Sequence, residues 1–167
     1  PGSVITFLVW EDGAAGRFLQ PGATYYGLAR ALLQLGRYDE AQQALASAQR
    51  QLSPHPSLLL LGGDIQRAAA NLDGALARYE QALQQFPSND ALWLARIDTL
   101  LQARRSAEAR QQIELALKRA PDNAALWRLA ARSYGEGDAL RYHAAHGHAF
   151  YIEQEFESAR IQYQRAS

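Results

Sequence analysis

Three histidines near the carboxyl end of the chain come closest to a pattern that could bind a metal ion. His143 and His146 are three residues apart and share one face of a predicted helix, whereas His148 falls too far round that helix to join them. Zinc requires three or four ligands in one tight shell. We therefore predict that His143 and His146 are partly buried packing residues. A metal-dependent activity at this cluster is the alternative hypothesis.

The other residue types that support catalysis have a simpler explanation. Two groups of carboxylates stand at predicted helix starts, namely Asp39 with Glu40, and Glu153 with Glu155 and Glu157. The helix dipole stabilises negative charge at such positions. The serines lack the glycine-rich turn that exposes a catalytic nucleophile, and no glutamate follows any of the four histidines to begin a His-Glu-x-x-His motif. We predict that this chain is not an enzyme and that it holds no cofactor.

The composition limits the class of partner. Seventeen Lys and Arg residues match seventeen Asp and Glu residues, so the net charge is zero with histidine neutral. This balance argues against a nucleic-acid partner, which would favour a basic surface that displaces phosphate counterions. Cysteine is absent, which excludes disulfides and thiolate metal sites. No run of about 18 apolar residues occurs, so no membrane span is predicted.

A fixed interval of thirty-four residues relates several parts of the chain. Ala41, Ala75 and Ala109 are separated by this interval, and Pro87 and Pro121 repeat it. A period of this length is typical of stacked helix-turn-helix units that each contact only their neighbours. We predict an all-α fold, a right-handed α-solenoid of antiparallel helix pairs with roughly nine helices.

The repeat pattern divides the chain into three parts, which are a short N-terminal stretch, an apolar segment and a repeat domain. Residues 1–3 are interpreted as a leftover of cloning and the chain as a fragment of a longer protein, because it starts with Pro-Gly-Ser and contains no Met. Residues 4–22, which include VITFLVW, are predicted to form an apolar arm or cap. The repeat domain is predicted over residues 23–167, in units of about 23–54, 55–87, 88–121, 122–138 and 139–167.

The period fails in the fourth unit. His143 stands where the packing alanine is expected, and the next well-formed second helix is centred on Ala159, fifty residues after Ala109. The segment LRYHAAHGHAFYI must then form one helix that closes the fourth unit and opens the fifth. Gly147 takes the position at which the repeat requires a small residue for close helix approach, as Gly63 does in the second unit.

The inner, concave face of the predicted solenoid is the favoured binding surface. It is lined by first-helix residues that point away from the paired second helix. By register these are Tyr26, Arg30, Leu33, Leu60, Asp64, Arg67, Leu94, Asp98, Arg128 and Arg132. Arginines beside an aromatic residue and leucines suit an extended or helical peptide. We predict a protein or peptide partner on this face, and a solvated face without a ligand is the alternative.

These positions resemble the tetratricopeptide repeat. The resemblance rests on Trp93 or Trp127 early in a first helix, on a small residue four positions after Trp127, on alanines that flank an aromatic residue in the second helix, and on a closing proline. It covers residues 23–121 well and residues 122–166 with the break described above. The resemblance implies an interaction scaffold and no reaction.

A narrower resemblance concerns two segments. YYGLARALLQLGRYDEA and, above all, DALRYHAAHGHAFYIEQEFESARIQYQRAS are similar to the C-terminal region of the periplasmic β-barrel assembly-enhancing metalloproteases. In that family a zinc peptidase domain of the M48 type precedes a tetratricopeptide region with the same shortened junction. The resemblance implies a periplasmic location, a role in outer-membrane protein assembly and quality control, and contacts with the assembly machinery and with a protease domain of the same chain. Zinc is then expected only in that protease domain. The alternative is a stand-alone scaffold of an envelope or secretion assembly.

Overall fold

The computed structural model describes residues 21–167, and predictions for residues 1–20 lie outside this range. The described residues form nine α-helices, which are α1 (Pro21–Gln34), α2 (Tyr38–Gln51), α3 (Pro56–Ala68), α4 (Leu72–Gln85), α5 (Asp90–Gln102), α6 (Ser106–Arg119), α7 (Ala124–Tyr134), α8 (Ala139–Ile152) and α9 (Phe156–Arg165). A short 3-10 helix, Gly135–Asp138, joins α7 to α8. None of these helices is long and apolar enough to cross a lipid bilayer.

The helices stack in two layers. Each of α1, α3 and α5 packs against the helix that follows it, and α1, α3, α5 and α7 also contact one another in succession. Within the described residues, α2, α4 and α6 make no comparable contacts among themselves. The layer of α1, α3, α5 and α7 is therefore the tighter, inner one, and its exposed side is the concave face. The predicted all-α solenoid of helix pairs is confirmed.

Small residues allow the paired helices to approach closely. Ala41, Ala75 and Ala109, which set the period, are all fully buried. A Cβ atom on Gly63 would lie 2.1 Å from Cε1 of Tyr79, so only glycine fits opposite that ring. The small residue predicted at Gly63 is therefore required by the packing of α3 on α4.

The turns inside the helix pairs share one backbone conformation. Gly36, Ala70, Arg104 and Gln154 occupy the same position in four turns, and their φ angles are +72°, +61°, +58° and +63°. This left-handed conformation is free of strain only for glycine. The chain therefore repeats the geometry of the turn even where the sequence lacks the residue that suits it.

The first helix begins at Pro21, the first of the described residues. Pro21 and Gly22, which the sequence pattern places in the apolar N-terminal segment, already belong to α1. Proline is well tolerated in the first turn of a helix, where its missing N–H group has no intrahelical partner. Gly22 is buried, and a Cβ atom there would lie 2.6 Å from Cγ of Leu52. These two residues pack with the first helix pair.

The fourth and fifth units share one helix. α8 packs against both α7 and α9, so one helix closes the fourth unit and opens the fifth. The register of α8 differs from that of the regular units after the 3-10 helix. Ala145, and not His143, is buried in the core cluster beneath α7. Gly147 faces the ring of Tyr163, where a Cβ atom would lie 2.9 Å from Cδ1. The small residue that the fifth unit requires is thus present in α8.

Candidate functional site

The ten residues predicted to line the concave face lie on α1, α3, α5 and α7, and none of them is buried. They occupy three rows of equivalent repeat positions. The first row is Tyr26, Leu60, Leu94 and Arg128, the second is Arg30, Asp64, Asp98 and Arg132, and the third is Leu33 and Arg67. Side chains of one row follow each other from unit to unit, so a chain lying along the groove would meet them in order.

Four charged residues of this face form an ionic ladder, which consists of Asp64, Arg67, Asp98 and Arg132. Arg67 donates from Nη2 to Oδ1 of Asp64 over 3.2 Å and from Nη1 to Oδ2 of Asp98 over 2.6 Å. Arg132 donates from Nη1 to the other oxygen of Asp98 over 2.5 Å. The ladder therefore joins the second, third and fourth units. Sequence register placed these residues on one face but did not indicate that they pair with each other.

Tyr79 attaches the ladder to the core. Its side chain is fully buried, and its hydroxyl donates a hydrogen bond to Oδ1 of Asp64 over 2.6 Å. Burial, and then the hydrogen bond to Asp64, raises the pKa of Tyr79 above its ordinary value, so the hydroxyl remains a donor. Sequence reasoning missed this role. The available signal was a tyrosine at a position that is Leu45 in the first unit and Ile113 in the third.

Three arginines of the concave face, Arg30, Arg128 and Arg132, are more exposed than Arg67. Arg128 donates from Nη2 to Oε2 of Glu153 over 2.5 Å, which links α7 to the end of α8, and its guanidinium lies 5.9 Å from the ring of Phe150. Arg132 keeps half of its side-chain surface exposed despite its contact with Asp98. Arg30 is exposed and makes no ion pair with the described residues. Surface pairs of this kind contribute little to stability, so these cations are accessible to a partner.

Two cavities are lined by residues of the ionic ladder. One has a volume of about 460 Å³ and is lined by Leu33, Gln34, Asp64, Arg67, Ala68 and Gln102. The other has a volume of about 590 Å³ and is lined by Arg132, Gly135, Ala139, Tyr142 and His143. Asp98 links them, because it binds Arg67 of the first cavity and Arg132 of the second.

The three histidines of α8 do not converge on one point. His143 and His146 are partly buried, as predicted, and burial, followed by the nearby charges of Arg128 and His143, lowers the pKa of His146. Each ring has its own neighbour: Nδ1 of His143 lies 2.8 Å from Oε1 of Gln162, the ring of His146 lies 4.8 Å from that of Tyr142, and the ring of His148 lies 4.2 Å from that of Trp127. Among the described residues, no three His, Cys, Asp or Glu side chains are grouped so as to hold a metal ion.

Family models identify the repeat. Two models, each described as the tetratricopeptide repeat, match residues 66–133 and residues 14–56 with 26–89. Together they span more than two thirds of the chain, and the chain belongs to the tetratricopeptide repeat family. Repeats of this family bind protein partners, so the structure is that of a non-catalytic protein-interaction domain.

Solved structures share the fold at low sequence identity. A fragment of MamA from Desulfovibrio magneticus RS-1 is 15% identical, with 90% of this chain and 95% of that chain covered and a TM-score of 0.62. MamA from MSR-1 is 16% identical, with 87% and 94% covered and a TM-score of 0.53. At these identities the similarity concerns the fold alone. A search of curated protein sequences found no match.

Proposed function

We propose that the concave face binds a segment of a protein partner in an extended or helical conformation. The observation that supports this most strongly is the row of partly exposed apolar side chains Tyr26, Leu60 and Leu94, which runs beside the ionic ladder across three units. Apolar anchors flanked by charged groups are the features with which grooves recognise peptide segments. The ladder keeps the charges of the groove in place, so a partner meets an ordered surface.

Site-specific photo-crosslinking tests this proposal. A benzophenone amino acid in place of Leu94 would lie in the groove, and the same group in place of Glu114, which is exposed on α6 of the outer layer, is the matched control. In cells that naturally produce the chain, we expect position 94 to capture a specific protein that position 114 does not capture. Equal capture at the two positions would contradict a concave binding face.

We further propose that this domain belongs to a periplasmic M48-type metalloprotease and recruits substrates or assembly partners during outer-membrane protein assembly and quality control. The proposal rests on the similarity of residues 138–167 to that family and on the shared helix α8 at the shortened junction. In this arrangement the domain also contacts a protease domain of the same chain. The catalytic zinc would belong to that protease domain, because the present sequence lacks a His-Glu-x-x-His motif and its clustered histidines do not fit a zinc shell.

The full open reading frame provides the test of this context. We expect it to encode His-Glu-x-x-His upstream of the repeats and a secretion signal, and we expect the purified 167-residue chain to show no proteolytic activity. A reading frame without that motif would overturn the protease context. It would favour a stand-alone scaffold of an envelope or secretion assembly, and the concave binding face would be unaffected.

A further inference from the structure

The larger of the two cavities lies where the repeat breaks. α7 ends at Tyr134, Gly135 follows with a φ of +60° and a ψ of −162°, and a 3-10 helix stands in place of the three-residue turn of the regular units. The cavity of about 590 Å³ lies at this junction, between Arg132, Ala139 and His143. We call it the break cavity.

Three polar side chains of the break cavity have hydrogen-bonding capacity to spare. Arg132 uses Nη1 on Asp98, and its remaining N–H groups have no partner among the described residues. The hydroxyl of Tyr142 and Nε2 of His143 likewise make no hydrogen bond there, because the contact of His143 with Gln162 uses Nδ1. Arginine and tyrosine can donate to an acceptor in the cavity, and histidine donates through Nε2 when it is protonated.

The charge of the break cavity differs from that of the two others described along the inner layer. The cavity at Arg67 also contains Asp64, with which Arg67 is paired, so its charge is balanced. The cavity at Tyr26 is lined mainly by apolar and uncharged polar groups and by His55. The break cavity presents the guanidinium of Arg132, and no carboxylate is among those lining residues whose side chains the structure describes. Asp98 binds Arg132 from outside it.

We propose that the break cavity binds a carboxylate of the partner segment, with Arg132, Tyr142 and His143 as its donors. Arginine pairs with carboxylates through two N–H groups at once, and Arg132 retains such a pair while Nη1 stays on Asp98. This inference rests on the proposed binding of a protein segment along the concave face and specifies its chemistry. The carboxylate comes from an Asp or Glu side chain or from the carboxyl end of the partner.

Peptide selection tests the site with random peptides in place of the natural partner. One phage library displays random dodecapeptides with their carboxyl ends blocked by fusion, and a second displays them with free carboxyl ends. Both are selected on the wild type, on Arg132→Gln and on Arg78→Gln. The Arg78 variant is the matched control, because it loses the same charge from an exposed arginine of the outer-layer helix α4. Leu94→Arg tests whether selected peptides use the groove at all.

We expect peptides selected on the wild type and on Arg78→Gln to carry a carboxylate, and this preference to be lost on Arg132→Gln. Individual peptides should bind Arg132→Gln about tenfold more weakly, which is the scale of one charge-assisted contact. Enrichment of Asp and Glu in the fused library indicates side-chain carboxylates, and recovery of binding peptides from the free-end library alone indicates a terminal carboxylate. Peptides that depend on Leu94 but come from both libraries without enrichment of Asp or Glu, or that bind Arg132→Gln as tightly as the wild type, would overturn the carboxylate site alone. Peptides that bind Leu94→Arg as well as the wild type would overturn the concave binding face itself.

Discussion

Tyr79 connects the packing of one repeat to the charges of the inner face. Its ring occupies the space that Gly63 leaves open, and its hydroxyl donates to Asp64 of the ionic ladder. A buried hydroxyl requires a hydrogen-bond partner, and a partly buried carboxylate gains from a neutral donor. One residue therefore fixes both the distance between α3 and α4 and the position of a groove charge.

Replacement of this hydroxyl gives a pH-dependent result. We expect Tyr79→Phe to lower the free energy of unfolding at pH 7 by about 1–3 kcal/mol, because Asp64 loses a hydrogen bond to a buried donor. The folded state raises the pKa of Tyr79, so the wild type loses this stabilisation as the pH rises above about 10, where the unfolded chain ionises. The difference between the two proteins should thus narrow between about pH 9 and pH 11 in urea unfolding. Tyr38→Phe, which removes a hydroxyl without a partner among the described residues, is the control, and a gap that is constant with pH would contradict this role.

The left-handed turn residues offer a stabilising change. Ala70 has a φ of +61° in the turn between α3 and α4, where glycine would adopt the same conformation without steric cost. We expect Ala70→Gly to raise the free energy of unfolding by about 0.5–1 kcal/mol, net of the greater freedom that glycine has in the unfolded chain. Ala69→Gly is the matched control, because Ala69 has a φ of −75° and should only lose stability. Thermal unfolding of the two variants decides between these signs.

The helix pairs divide the side-chain volume at their contact in different ways. Gly63 faces Tyr79 and Gly147 faces Tyr163, whereas the third unit has Ile97 and Ile113 at the equivalent positions. The volume is thus shared differently between the two helices in different units, while the helices remain closely packed. A consensus residue at one position therefore does not suit every unit.

Gly63 in α3 and Gly27 in α1 allow a test of whether a small residue is required where the paired helices are in contact. We expect Gly63→Ala to lower the free energy of unfolding by about 1–3 kcal/mol, because the new Cβ atom would lie 2.1 Å from a fully buried ring. Gly27→Ala, in the interior of α1 with no atom within 4 Å of the new group, should instead raise it by about 0.5–1 kcal/mol. Chemical unfolding followed by circular dichroism measures both. Equal effects of the two changes would show that glycine at position 63 is a matter of helix propensity and not of packing.

The helices were predictable because alanine spacing and turn residues report on local geometry and nearest-neighbour packing. The period also located the break, since His143 could not take the place of a packing alanine. The 3-10 helix at Gly135–Asp138 was not predictable in the same way. Its conformation depends on how α7 and α8 pack against each other. The burial of Ala145 in place of His143 is a consequence of that packing.

At the scale of the whole molecule, the pairing of charges within the ionic ladder is the part of the candidate site that could not be predicted from the sequence. Register alone placed the ten residues on α1, α3, α5 and α7, because equivalent positions of equivalent helices face the same way. Pairing of Arg67 with Asp98 and of Arg132 with Asp98 spans 31 and 34 residues and depends on the distance between successive inner helices. That distance follows from the curvature of the assembled solenoid and from no single unit.

The exposed arginines at the far end of the groove give a prediction about binding without unfolding. We expect Arg128→Ala combined with Arg132→Ala to leave helicity unchanged, because both side chains are about half exposed and their ion pairs lie at the surface. Affinity for the partner should fall about tenfold or more, since both cations face the groove. Arg78→Ala, an exposed arginine of the outer helix α4, is the control and should bind normally. Loss of helicity in the double variant would show that the assigned register is wrong.

Hydrogen exchange of the chain with and without its purified partner tests the concave binding face most directly. We expect backbone amides of α3, α5 and α7 to exchange more slowly in the complex, because these helices carry the groove residues, and those of α4 and α6 to exchange at unchanged rates. Protection confined to α2, α4 and α6, with the inner helices unaffected, would contradict a binding site on the concave face.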